Sequence, residues 1–167
     1  MFQIIDNRTS LPDPIDPPPG DWRLGTAVVV FRHNPEGQVE VLLGQRKGAH
    51  GEGTFAFPGG KTDGQGLYEA ALRELKEETD LDGIPIAYLG DVYREFEAVQ
   101  RWRTMYVLVE ARGTLRTCEP DKNEGWAWHN LAVLPSPWFA PAALFVESGR
   151  LALAASDWEQ FQSRSGK

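Results

Sequence analysis

The chain has 167 residues, 41% of them hydrophobic and 11% aromatic, enough for one globular unit with a sizeable core. A net charge of −7 and a pI near 5.0 argue against broad binding to nucleic acid polymers, which relies on clustered Lys and Arg, so a phosphate-bearing ligand would need a cation. Cys118 is the only cysteine, which excludes an intrachain disulfide and points to a reducing compartment; no apolar run approaches the roughly 18 residues of a membrane span, and the N-terminus lacks a basic and apolar leader, so a cytoplasmic protein with no membrane partner is expected.

In chain order, residues 1–23 read as a proline-rich arm, with Pro12, Pro14 and Pro17 to Pro19 forcing extended or polyproline-like backbone and Phe2 to Ile5 suited to a short edge strand. Such an arm packs on the surface or offers a contact for a homodimer. The folded domain is expected over 24–167. The β-branched run Leu24 to Arg32 and the run Val39 to Gln45, separated by the turn-forming HNPEGQ, predict a hairpin. A basic, Gly-rich loop over 46–53 precedes a short strand, Thr54 to Phe57, which ends at Pro58-Gly59-Gly60. A helix follows, then strands over Ile86 toward Glu97, Thr104 to Ala111 and Gly125 to His129, then a second helix from Pro137 or Trp138 to Ser148. This order predicts an α/β (α+β) domain with a mixed sheet sandwiched between helices.

The first helix carries the chemistry. At about 100° per residue, Glu74, Glu77 and Glu78 fall on one stripe, while Leu67, Ala71 and Leu75 fall on another that faces a core. Like charges at i, i+4 cost roughly 0.2–0.5 kcal/mol in an isolated helix. A cation between them removes that cost, and an all-oxygen acidic site suits Mg²⁺ or Mn²⁺.

As a pattern, the segment reads Gly59-x5-Gln65-x7-Arg73-Glu74-Leu75-x-Glu77-Glu78-x-Asp80-Leu81. It resembles the signature box of the Nudix hydrolases, and the flanking LLGQRK, TFAFPGG and the acidic residue before Trp126-x-Trp128 extend the resemblance over roughly 24–149. The resemblance implies the Nudix fold and hydrolysis of a nucleoside diphosphate-linked substrate by water attack on phosphorus, with a small-molecule nucleotide as ligand. The MutT-like branch is the nearest in pattern, and it implies conversion of a (deoxy)nucleoside triphosphate to monophosphate and pyrophosphate. An ADP-ribose or nucleotide-sugar pyrophosphatase is the enzymatic alternative, and a module that binds nucleotides without cleaving them is a third.

Two positions depart from the box. Gln65 stands where the family has Glu, in a loop one residue short, and is expected to weaken a secondary metal while leaving the main one. Asp80 replaces the Gly that ends the helix and is expected to take the left-handed C-cap. The metal ligands implied are Glu74, Glu77 and Glu78 with the backbone carbonyl of Gly59 or Gly60, and Glu77 is either a third ligand or the base. Arg73 is expected to orient the carboxylates. Glu124 is the second candidate for the base, ahead of Glu95 and Glu97. Arg46 and Lys47 are expected at the terminal phosphates, Gly60 along the substrate, and Trp138 and Phe139 as a platform for the base. His33, His50 and His129 are not expected to be ligands.

Overall fold

The computed structural model describes residues 20–48, 50–96 and 100–166, so the proline-rich run, the expected edge strand at Phe2 to Ile5 and Glu97 lie outside the described residues. Strand β1 (Arg23–Val29) is followed by β2 (Phe31–His33), β3 (Val39–Arg46), β4 (Phe55–Ala56), β5 (Gly59–Lys61), helix α1 (Leu67–Thr79), β6 (Asp82–Phe96), β7 (Gln100–Arg112), β8 (Asn123–Asn130), α2 (Ala140–Glu147) and α3 (Arg150–Arg164). No helix among the described residues is long and apolar enough to cross a membrane.

The β layer is mixed and divides into two four-stranded sheets. In the first the order is β5-β1-β7-β6, with β1 parallel to β7 and the other neighbours antiparallel. In the second, β3 is the spine: β8 runs along one edge, while β2 and then β4 share the other. The division corrects the simple hairpin expected between Leu24–Arg32 and Val39–Gln45. The run breaks after Val29; the part before the break pairs with β5 and β7, and only the part after it pairs with β3, in the register Phe31↔Val41. An apolar, β-branched run fits a strand buried on both faces in either sheet, so its composition does not mark the break.

Side-chain alternation sends successive residues to opposite faces. Val28, Val30, Leu42, Val107 and Trp126 pack against Ala71 and Leu75 of α1. Ala27, Val29, Val41, Leu43, Tyr106 and Leu108 pack against Phe145 of α2 and Leu151, Ala154 and Trp158 of α3. The β layer is thereby sandwiched between helices. Helix α3 is absent from the expected elements, although Leu151, Ala154, Ala155 and Trp158, all buried, repeat at i, i+3, i+4 and i+7.

Helix α1 buries Ala70, Ala71, Leu75 and Thr79, and this fixes its carboxylate stripe toward the Gly59-Gly60 strand. Asp80 ends the helix at φ 60°, with its N–H bonded to the Lys76 carbonyl. Its side chain also pairs with Lys76 Nζ at 3.0 Å, so Asp supplies the left-handed cap that Gly would supply.

Candidate active site

A cleft of about 650 Å³ opens between α1, β5 and the segment leading into β8. Asp63, Glu74, Glu77, Glu78 and Glu119 supply its acids, and Arg46, Lys47, Lys61, Arg73 and Lys122 its cations. A second cavity, of about 230 Å³, adjoins it on the α2 side and has a floor of Gly25, Ala27, Trp102 and Tyr106 under walls from Phe57, Phe96 and Phe139. Arg46, His50, Phe57, Gly59, Gly60 and Lys61 border both.

Two glycines make the acidic cleft tight. A Cβ on Gly59 would overlap the Thr26 carbonyl oxygen across the β1–β5 pair, so only glycine lets this edge strand close. A Cβ on Gly60 would lie 2.5 Å from Glu74 Oε1, so the bare backbone is what lets that carboxylate reach the strand. The Gly59 N–H donates to Glu78 Oε2 at 2.9 Å. Arg73 gathers the rest. Its Nε donates to Gln65 Oε1 at 2.6 Å, Nη1 to Glu77 Oε2 at 3.0 Å and Nη2 to the Lys61 carbonyl at 2.8 Å, with Glu74 Oε1 3.0 Å from Nη2. Glu74 is 12% exposed and Glu77 is 52% exposed. Glu74 therefore sits inside the cleft and Glu77 on its rim.

Glu119 reaches the same place by a route the sequence does not advertise. The last carbonyls of a helix have no partner within it, and here the segment before β8 supplies them: Cys118 N–H bonds the Glu78 carbonyl and Arg116 N–H the Thr79 carbonyl, both at 3.0 Å. A turn then closes with Lys122 N–H on the Glu119 carbonyl at 3.0 Å, and Lys122 Nζ lies 2.7 Å from Glu119 Oε1. Glu119 is thus anchored to the end of α1 beside Glu78. Glu124, the expected second candidate for the base, is exposed and lines neither cavity. Glu95, also outside both, pairs with Arg101. Counting back from the Trp126-x-Trp128 strand selects Glu124, whereas the turn over 119–123 places Glu119 at the cleft.

The electrostatics follow from this crowding. Burial pushes the Glu78 carboxyl up to about 8, the negative charges of Glu74 and Glu119 push the same way, and the Gly59 N–H and Arg46 oppose them. Burial also raises Glu74, with Arg73 opposing and Glu77 and Glu119 adding to the rise. Arg46 is held below its ordinary value by burial, with Glu78 partly restoring it. Its guanidinium lies 4.1 Å from the Phe139 ring centroid, and its Nε donates to the His50 carbonyl at 3.1 Å. Lys47 lines the acidic cleft, its N–H bonded to the Lys122 carbonyl at 2.9 Å.

The expected aromatic platform divides. Phe139 lines the apolar cavity, nearly parallel to Phe96 at 13° and 6.3 Å between centroids. Trp138 borders neither cavity; it stacks on Phe57 and packs against the core under α2 and α3. Gln65 also stands outside the cleft, its carbonyl on Arg73 and its amide on Glu69 Oε1 at 3.1 Å. The side chain in the place of the family's Glu thus holds the arginine that holds the carboxylates.

Among the described residues, no three His, Cys, Asp or Glu side chains are already gathered into a ligand set. The reason is local, since Glu74 and Glu77 lean on Arg73 and Glu78 on Gly59. The donor chemistry nevertheless fits a hard divalent ion: Glu74, Glu78 and Glu119 are oxygen donors, and burial together with the negative charge of Glu119 raises the proton affinity of both Glu74 and Glu78, the signature of charge lacking a counter-ion.

Comparison with known proteins is consistent with this geometry. The NUDIX domain family model matches residues 23–148. The MutT NUDIX hydrolase from Burkholderia pseudomallei shares 28% identity at a TM-score of 0.65, over 74% of this chain and 95% of that one. The NUDIX domain of Shewanella oneidensis NrtR, solved in complex with ADP ribose, shares 24% at 0.61, over 80% and 90%. A C. elegans Ap4A hydrolase shares 18% at 0.56, over 84% and 98%, a likeness of fold. Nudix hydrolases generally use divalent metal ions. With the family model covering most of the chain and the box carboxylates lining one cleft, the protein belongs to the Nudix family, as a MutT-like hydrolase acting on pyrophosphate bonds.

Proposed function

We propose that this enzyme hydrolyses a (deoxy)nucleoside triphosphate to the monophosphate and pyrophosphate in a Mg²⁺-dependent reaction. The observation that carries the reading is the adjacency of a cavity walled by aromatic rings to a cleft whose acids, Glu74, Glu78 and Glu119, face the cations Arg46, Lys47, Lys61 and Lys122. Planar rings favour aromatic walls, and a triphosphate tail carries more charge than the sugar of ADP-ribose, so a wall of four cations suits it better.

In this mechanism Glu74, Glu78 and the Gly59 carbonyl would hold Mg²⁺, with Glu77 at the rim. The chemistry such an ion would supply there is charge neutralisation for phosphate oxygens and a lowered pKa for the attacking water. Arg73 fixes the Glu74 and Glu77 carboxylates in direction. A Glu119 carboxylate oxygen takes the proton from the water, and the neighbouring Lys122 ammonium compensates the charge it carries beforehand. Lys47 and Lys61 contact the departing pyrophosphate. Phe139 and Phe96 exclude water from the base side of the site.

A second reading, an ADP-ribose or nucleotide-sugar pyrophosphatase, is favoured by the likeness to the domain complexed with ADP ribose. Phosphate release from a panel of nucleoside triphosphates, ADP-ribose, nucleotide sugars and dinucleoside polyphosphates, with Mg²⁺ and Mn²⁺ compared, tests both. Nucleoside triphosphates are expected to give kcat/KM at least tenfold above the others. Faster turnover of ADP-ribose would reverse the assignment, and no turnover of any member with either ion would remove it.

A further inference from the structure

The described residues of the loop before β4, Lys47, Gly48 and His50 to Gly53, are built to hold one side chain in place. Gly48, Gly51 and Gly53 take φ of 93°, 70° and 79°, backbone that other residues adopt only with strain. The loop closes on itself, with Arg46 N–H on the Thr54 carbonyl and Gly53 N–H on the Arg46 carbonyl, both at 2.8 Å. A Cβ on Gly51 would lie 2.8 Å from Phe139 Cδ2, so this glycine seats the loop directly on the ring. The result is that His50 stands edge-on to Phe96 at 5.2 Å and 75° and to Phe139 at 5.8 Å and 83°. Those two rings are nearly parallel, so His50 closes the third side of a slot.

The slot is the boundary between the two cavities. Of the polar side chains there, Arg46 donates to the His50 carbonyl and lies over the Phe139 face, and Lys61 is exposed where the two cavities meet. The His50 ring nitrogens make no hydrogen bond among the described residues. Any nucleotide with its base in the aromatic cavity and its diphosphate at the carboxylates must thread this boundary with the phosphate that is esterified to its sugar. That phosphoryl group offers only acceptors, and even a neutral imidazole carries one N–H donor.

We propose that His50 is a substrate-binding residue whose imidazole donates to a non-bridging oxygen of the nucleoside-linked phosphate. This assignment rests on the reading of the site as one for nucleoside diphosphate-linked substrates, and it holds for each substrate class considered, because all contain that phosphate. The histidine sets where the nucleoside ends and the diphosphate begins.

The test uses the full chain and titration calorimetry with 5′-AMP, 5′-GMP, 5′-CMP and 5′-UMP, their parent nucleosides, and inorganic pyrophosphate, all in Mg²⁺. His50→Phe keeps the ring contacts and removes the donor, while His50→Gln keeps a donor. For the monophosphate that the wild type binds best, His50→Phe is expected to weaken binding about tenfold, the loss of one hydrogen bond to a charged group. His50→Gln is expected to stay within about threefold of wild type. Pyrophosphate and nucleoside affinities and the melting temperature should not move. Unchanged monophosphate binding in His50→Phe, or an equal loss for pyrophosphate, would overturn the assignment and leave the functional reading standing. A wild type that binds no monophosphate and turns over no panel substrate would remove both.

Discussion

Glu78 provides a quantitative test that needs no substrate. Its carboxyl stands at about 8 in the folded protein against an ordinary value of 4.5, raised first by burial and then by Glu74 and Glu119. A carboxyl raised on folding binds its proton more tightly in the native state than in the unfolded one. The resulting stability is present in full below pH 4.5 and drains away as the pH rises through 8. Between pH 5.5 and pH 9 the linkage amounts to about 3 kcal/mol, or roughly 6–12 °C in melting temperature for a chain of this size. Glu78→Gln keeps the shape and the acceptor for the Gly59 N–H but does not titrate. Denaturation of both proteins in EDTA at the two pH values isolates the residue and the charges coupled to it, because contributions from groups remote from Glu78 are common to both proteins and cancel in the difference. Wild type should lose about 3 kcal/mol more than the variant on going to pH 9. An ion held by Glu78 must also displace that proton, so apparent Mn²⁺ affinity should fall up to about tenfold per unit below pH 8 in the wild type. Parallel pH profiles for the two proteins would show that Glu78 is not a buried, proton-holding carboxyl, and the reasoning about the cleft would fail with it.

Three further outcomes are expected. Glu119→Gln should lower kcat at saturating Mg²⁺ by at least about 100-fold with KM changed little, while Glu124→Gln, on the exposed segment, should stay within about twofold; equal losses would return the base to the position chosen by motif spacing. Gly60→Ala pushes a methyl group against Glu74 Oε1, so turnover should fall at least about tenfold with the fold retained by circular dichroism, and wild-type kinetics would mean that the carboxylate does not need that approach. Gln65→Glu keeps the acceptor on Arg73 but sets a like charge beside Glu69, so Mn²⁺ affinity should change less than about twofold; a clear gain would restore the expectation that residue 65 belongs to a secondary metal site.

The sequence made the carboxylate helix legible because its evidence is periodic: Ala71 and Leu75 on one stripe and Glu74 and Glu78 on another follow from 3.6 residues per turn, whatever the helix packs against. The strands over β3, β7 and β8 were legible for the same reason, through alternation and β-branched composition. The break after Val29 was not, since a run buried on both faces reads alike in one sheet or two. Helix α3 was within reach, because its buried residues hold helical spacing, but it follows the Ser148-Gly149 junction at which the preceding helix ends.

Local order, the acidic box and the Gly-rich approach to it were determined by the chain as written, for each depends on neighbours a few residues apart. The assembly of the site was decided by tertiary structure alone. Glu119 replaced Glu124 at the cleft because the open carbonyls of Glu78 and Thr79 drew the segment before β8 onto the end of α1. Phe139 parted from Trp138, and His50 came to stand edge-on beside Phe96 and Phe139, because β1, β6 and the approach to α2, remote in sequence, close around one cavity. Hydrogen bonds between distant backbone groups and the volume left between packed faces leave no period in a sequence, and these are what turned a row of glutamates into the wall of a cleft beside an aromatic cavity.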